Sequence, residues 1–229
     1  FYLYDILKYM GNRMGEEDTL LVSDADCLCH TSLTPLFEEV RKNGSALYEF
    51  ITDRKHIING ITLPQMEELY RNCYGKTETS PITYYGGEFV AFRKDIIDRL
   101  NTAFPELWAF NLKYGQQHPF KLNEEAHLLS LLAEHLNIRN AIANRYVKRM
   151  WTTPHFNNVQ PNDENFPVWH LPYEKKRGLY QLYKLIGKDS DITNENVFWQ
   201  KAGSYTGIPC INLKKRIRDR LTTLWMKLK

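Results

Sequence analysis

What the chain lacks narrows its class first. Across 229 residues no apolar run approaches the roughly 18 that a membrane-spanning helix requires, and no signal-peptide pattern opens the chain. Cysteine is scarce: Cys27, Cys29, Cys73 and Cys210 show no paired zinc spacing, and neighbours two apart on a strand rarely bridge. Reduced thiols in a cytoplasmic compartment are therefore expected. Internal repeats and low-complexity tracts are absent. A large charge of one sign is absent too, because the formal net charge is only +3. That small number hides an asymmetry. Segment 213–229 carries seven cations (Lys214, Lys215, Arg216, Arg218, Arg220, Lys227, Lys229) against Asp219, a net of +6, which leaves −3 on the rest. The body is therefore not a general nucleic-acid binder, and no nucleic-acid partner is expected.

What is present is enough for a sizeable core. Hydrophobic residues make up 43% and charged residues 25%, which excludes global disorder and fits one large domain, or one domain with an appendage. Strand-like and helical patterns alternate, which indicates an α/β fold. Helices are predicted at the first twelve residues (stripe Leu3, Ile6, Leu7, Met10), Leu33–Lys42, Pro64–Cys73, Lys94–Phe104, Asn123–Asn137 and Tyr180–Ile186. Strands are predicted at Thr19–Val22, Ala46–Ile51 and Tyr84–Phe92, and a loop region at 151–178. Asn43-Gly44-Ser45 matches a glycosylation sequon but is first of all a turn signal. From Leu213 the apolar positions Leu213, Ile217, Leu221, Leu224 and Leu228 define an amphipathic terminal helix. Its basic side allows two arrangements: rest on an anionic membrane, or packing on the body with the basic side in water.

The strongest local signal is Leu20-Leu21-Val22-Ser23-Asp24-Ala25-Asp26. Ligands of open α/β sheets bind beyond the carboxyl ends of strands. Two carboxylates one residue apart at such a place can share a divalent cation such as manganese or magnesium, which takes oxygen ligands and bridges phosphates. The plain alternative is a turn, where Asp is common. Two chemistries use the pair. The acids can hold a metal on the diphosphate of a nucleotide-sugar, or Asp24 can itself attack phosphate, as in phosphatases of the haloacid dehalogenase type. The second pattern usually has Thr or Val where Leu28 stands, and its downstream acidic partner has only a poor counterpart in Gly187-Lys188-Asp189-Ser190-Asp191.

At these residues the chain resembles a known group. Val22–Asp26 followed by Leu33-Thr34-Pro35-Leu36-Phe37 looks like the DXD segment of GT-A glycosyltransferases. Tyr84-Tyr85-Gly86-Gly87-Glu88-Phe89 and Asn123-Glu124-Glu125-Ala126-His127-Leu128 look like glycosyltransferase family 6, the group of the blood-group A/B enzymes. The likeness runs from about residue 3 to residue 151. It implies a GT-A-like, Rossmann-related mixed sheet flanked by helices over residues 1–178, with a helical extension at 179–229. It also implies retaining transfer of galactose or N-acetylgalactosamine from a UDP-sugar, with manganese; the acceptor is expected to be a glycan or, if the terminal helix meets a membrane, a lipid-linked molecule. Enzymes of this fold place a base-binding βαβ unit ahead of the acidic pair, and only 23 residues precede it here. That unit is expected to be truncated or reduced, and the uncapped helix beginning at Phe1 suggests that something upstream was removed.

The resemblance distributes roles. Asp24 and Asp26 would hold the metal, and Ser23, Ala25, Gly86 and Gly87 would lie along the donor. Tyr85, Glu88, Trp151 and His127 would meet the acceptor, with Tyr84 and Trp108 as further sugar contacts. A late histidine and late basic residues, here His170 with Lys175 and Lys176, would attend the metal and the departing diphosphate. His155 is a rival for the metal, and His118 receives no role. Each has a plainer alternative: a tight strand start for the glycines, core packing for the tryptophans, a solvated basic loop for 170–178, and the surface for His127.

Helical geometry gives an independent argument for Glu125. At about 100° per residue, Leu128, Leu129, Leu132 and Leu136 fall within about 60° of Glu125, and Glu124 sits at the edge of that stripe, with His127, Ser130 and Glu134 opposite. A carboxylate in an apolar stripe is costly without partners or a task. Glu125 would act at the anomeric carbon, as nucleophile or as stabiliser of an oxocarbenium-like centre, with Glu124 orienting the donor. The alternative is a first-turn acid stabilising its own helix, capped by Asn123. The rivals at the level of function are the phosphatase above and a carbohydrate-binding relic that turns nothing over.

Overall fold

The computed structural model describes residues 2–50, 52–77, 81–153, 155–186 and 195–227. Phe1, Ile51, the 187–191 segment, Leu228 and Lys229 lie outside the described residues. The chain divides into two compact units, residues 1–23 with 33–145, and residues 24–32 with 146–229. The expected boundary at 178/179 falls inside the second unit. The α/β class is as expected, but the described residues form two three-stranded sheets, one in each unit, in place of one mixed sheet.

In the first unit, β1 (Thr19–Ser23), β4 (Tyr85–Arg93) and β3 (Ser45–Glu49) lie in the order β1-β4-β3, every pair antiparallel. β4 is central and mostly buried. Phe89, Val90, Ala91 and Phe92 form an unbroken apolar run, which suits a strand covered on both faces. The helices are α1 (Tyr2–Gly11), α2 (Thr34–Asn43), α3 (Leu63–Tyr74), α4 (Lys94–Tyr114) and α5 (Glu125–His135). α3 starts at a reciprocal cap, Thr62 bonding to Gln65 N–H while the Gln65 side chain accepts from Thr62 N–H. The Asn43-Gly44 turn ends α2 as the sequence suggests, because Gly44 adopts φ +85°.

α4 runs ten residues past its expected end at Phe104, through Pro105. Tertiary packing overrides the proline penalty: Leu107, Asn111 and Tyr114 beyond it are buried. Asn111 has a specific task. Its amide donates to Leu122 O (3.0 Å) and accepts from Leu122 N–H (2.8 Å), which fixes the backbone just ahead of α5.

The second unit holds β2 (Cys27–Cys29), β6 (Val168–His170) and β5 (Val147–Arg149), in the order β2-β6-β5, the first pair antiparallel and the second parallel. α6 (Gly178–Ile186), α7 (Glu195–Thr206) and α8 (Leu213–Lys227) complete it. Met150, Trp169, Leu171, Leu182, Ala202 and Ile208 share one core, so the C-terminal helices are part of this unit rather than an appendage. Strand β6 lies where a loop region was expected. Three-residue strands carry no periodicity to read and exist because a neighbour satisfies their backbone.

Candidate metal centre

The chain leaves β1 at Ser23 and turns at once. Cys27 N–H donates to Asp24 O (3.1 Å), a tight turn that presents Asp24 and Asp26 just before β2. β2 then pairs with β6, setting Cys27 opposite His170, and Leu171 N–H donates to Asp26 O (2.9 Å). The parallel partner β5 places Arg149 in register with His170. The two acids, the histidine and the arginine thus meet at the carboxyl end of the β5–β6 pair.

His170 Nε2 is 3.5 Å from Asp26 Oδ1 and 3.9 Å from Asp24 Oδ2. One donor atom from each of the three residues lies within 4.8 Å of the others, so the group can hold a metal ion. The fit is chemically sensible. Bonds of about 2.0–2.2 Å to one small divalent ion require ligand atoms roughly 3–4.3 Å apart. Asp26 is buried, and its Oδ1 has no hydrogen-bond donor closer than His170 Nε2 at 3.5 Å, a weak engagement for a buried carboxylate oxygen. Burial pushes the His170 imidazole down to about 4, with Asp26 opposing and Arg149 and Lys175 assisting. It is therefore a neutral ligand at physiological pH. Asp24, half in solvent, has its carboxyl raised by burial and by Asp26, against the pull of Lys175 and Arg149.

Lys175 Nζ lies 3.5 Å from Asp26 Oδ2. Its neighbour Lys176 instead lines a groove between α6 and α8. Arg149 was missed by sequence reasoning, and no local motif marks it: only the register against His170 brings it in. Ala25 and Lys175 line a cavity of about 280 Å³ with Cys27, Leu179, Tyr180 and Tyr183. Trp151 is half-buried, with the Arg149 guanidinium 5.3 Å from its ring centre. His155 is exposed and not among the possible ligands.

The other expected site residues belong to the first unit. There Glu124 Oε1 accepts from Tyr84 Oη (2.6 Å), and its Oε2 accepts from the Asn59 amide. Glu125 is only partly buried, and its Oε1 accepts from Leu3 N–H (3.1 Å) in the first turn of α1. Its carboxylate therefore stabilises the start of another helix. The N-cap of α5 is Glu124 rather than Asn123, whose side chain donates to Asn59 O. Tyr85 is buried, its N–H bonded to Ser130 Oγ (2.8 Å). A Cβ on Gly86 would sit 2.0 Å from Glu88 Oε2, so Gly86 makes room for the Glu88 carboxylate, whereas Gly87 faces open space. Ser23 is the exposed end of β1. Trp108 packs against the core, and exposed His118 stacks on Tyr114.

His127 corrects the expectation of a surface residue. α5 is buried on nearly every side, and His127 is fully enclosed. Its Nδ1 accepts from Asn123 N–H (3.1 Å), so the ring carries its proton on Nε2, which donates to Ile58 O (3.1 Å) and lies 3.3 Å from Glu124 Oε1. Burial holds its pKa below the ordinary 6.5, with Glu124 and Ile58 opposing. The unfolded chain therefore takes up a proton that the folded one excludes, and stability falls as pH drops below about 6.5. Urea unfolding at pH 7 and pH 5 should show this loss, and His127→Gln should flatten the dependence. An unchanged slope in the variant would remove His127 from the account.

Neither the protein-family models nor the curated proteins include a match to this chain. Its function therefore has to be argued from the centre itself.

Proposed function

We propose that the chain is a metal-dependent glycosyltransferase that moves a hexose from a nucleotide-sugar to a glycan or lipid-linked acceptor. The observation that carries this reading is the Asp24–Asp26–His170 group, with Lys175 and Arg149 beside it. An Asp-x-Asp joined by a neutral imidazole is a ligand set for a hard or borderline divalent cation, for which we propose manganese. When bound, that ion would supply positive charge to a diphosphate leaving group. The protein's own part is electrostatic. Lys175 and Arg149 add fixed cations at the same end of the sheet, where charge develops on the departing phosphate. Asp26, held by its backbone bond to Leu171 and buried, keeps its carboxylate aimed without reorganisation.

The likeness to family 6 supports UDP-galactose, UDP-N-acetylgalactosamine or UDP-glucose as donor, retention of configuration, and the assignment of Glu125 and Glu124 to the donor sugar. Glu125→Gln separates that role from a structural one. Glutamine keeps an oxygen for Leu3 N–H, so the fold should persist while transfer falls by about two orders of magnitude or more. Retained transfer in a folded variant would strip Glu125 of its catalytic role.

The reading as a whole is tested by thermal shift with UDP and UDP-sugars, with and without manganese. Stabilisation by nucleotide that requires the metal is the expected result. Trapping of a beryllofluoride adduct on Asp24 would replace the reading with a phosphatase. Glycan binding that survives Asp24→Asn and Glu125→Gln, with no UDP released from any UDP-sugar, would replace it with a carbohydrate-binding protein.

A further inference from the structure

The terminal helix α8 packs the opposite way from an ordinary amphipathic helix. Its polar side faces the second unit, where Lys215 (0% exposed) and Asp219 (2%) are enclosed. Arg177, just ahead of α6, donates to Asp219 O and Thr223 Oγ1, and Arg218 donates to Tyr205 O. The apolar stripe points outward: Leu213 is 72% exposed, Ile217 52%, Leu221 62%, Leu224 59% and Trp225 57%. This overturns the expectation of an apolar side on the body and a basic side in water. The physical reason is Lys215: counted among solvated cations in the sequence, it is instead the counter-charge of two buried acids.

The exposed stripe has company. Among the described residues twelve large apolar side chains are exposed, and seven lie on α6 and α8, Tyr180 and Tyr183 completing the set. At about 100° per residue, Leu213, Ile217, Leu221 and Leu224 fall within about 45° of their mean direction. Arg216 and Arg220 border them on one side, and Lys214 and Trp225 on the other. Lys176 and Lys184 are exposed on and beside α6. Neither helix has an exposed carboxylate: the sequence of α6 contains no acid, and Asp219, the one acid of α8, is buried. An apolar strip edged by cations, with a tryptophan and tyrosines at its margins, is complementary to a bilayer with anionic headgroups.

We propose that α6 and α8 form a docking face for an anionic lipid bilayer, with Leu213, Ile217, Leu221 and Leu224 entering the acyl boundary and Lys214, Arg216 and Arg220 meeting the headgroups. Tyr180 lines both the groove between these helices and the cavity that Ala25 and Lys175 share beside the metal ligands. A lipid-linked molecule in that bilayer would thus lie close to the centre. The docking face rests on surface composition and not on the glycosyl-transfer reading, so loss of that reading leaves it standing.

Sedimentation of the whole chain with phosphatidylcholine vesicles, with and without phosphatidylglycerol, tests it. Binding should be at least about tenfold stronger with the anionic lipid and should weaken in about 0.5 M salt. Leu221→Glu with Leu224→Glu, and separately Lys214→Glu with Arg216→Glu and Arg220→Glu, should each reduce it at least about tenfold while thermal melts stay unchanged. Leu112→Glu, an exposed leucine on α4, should have no effect. Equal binding to neutral and anionic vesicles, or full binding by the folded variants, would overturn the proposal. So would a self-association that Leu224→Glu dissolves in a chain that ignores vesicles, since a second copy would then be the occupant.

Discussion

If the proposed centre holds manganese, Asp26→Asn is expected to abolish its binding and, with it, the proposed transfer activity. The position is buried, and one of its carboxylate oxygens has no donor closer than His170 Nε2 at 3.5 Å. Asparagine keeps the volume and one oxygen but removes the charge, and a neutral oxygen is a far poorer ligand for a hard cation. Disturbing even an outer partner of a metal ligand costs about 10–100-fold in affinity, so losing the ligand itself should cost more than about 100-fold. Stability should hold, because a buried carboxylate is replaced by a group that is cheaper to bury. Lys175→Ala is the control with the opposite sign: it removes a cation from the site, so metal affinity should rise or stay level while diphosphate binding weakens. Titration calorimetry with manganese, then with UDP, reads both. Wild-type manganese affinity in a folded Asp26→Asn protein would remove the metal centre and the proposed reaction together.

The second large effect is on stability. Lys215→Met should destabilise the protein by about 3–5 kcal/mol, the range for breaking a buried ion pair on one side. Lys215 Nζ lies 2.7 Å from Glu174 Oε1 and 2.6 Å from Asp219 Oδ2, all three side chains being buried. Glu174 also accepts from Thr152 Oγ1 and from Gly178 N–H (2.9 Å) at the start of α6. Gly178 cannot carry a side chain there, since a Cβ would sit 2.1 Å from Tyr205 O. One ammonium thus joins the 152 loop, the start of α6 and α8, and methionine leaves two buried carboxylates facing an apolar group. Combining Lys215→Met with Glu174→Gln and Asp219→Asn should restore much of the loss, because the cost arises from uncompensated charge rather than from missing packing. Urea unfolding measures each variant. A loss below about 1 kcal/mol for Lys215→Met would show that the charges are solvated in a more open unit.

Much of the first unit was legible in the residues. Periodicity marked α1, α2, α3 and α5, and an apolar run marked β4, because each of these elements is long enough to state its own period. α4 was legible only to Phe104, since Pro105 reads locally as a stop while its continuation is decided by burial of Leu107 and Tyr114. The burial of α5 on nearly every side was not legible. A helical wheel assigns one apolar side, but Ser130 and His127 could enter the core only because Ala126 O, Ile58 O and Asn123 N–H wait there as partners.

The sequence alone determined that the chain is α/β, that no described helix is long and apolar enough to cross a membrane, and that Asp24 and Asp26 follow an apolar strand closely enough to act together. Those are properties of composition, period and adjacency. Only the tertiary structure decided for His170 over His155 beside the acids, set Arg149 next to it, and turned the leucines of α8 outward. Each of these depends on which distant backbone satisfies a three-residue strand, or on which distant acid claims Lys215, and no local pattern encodes such a partner.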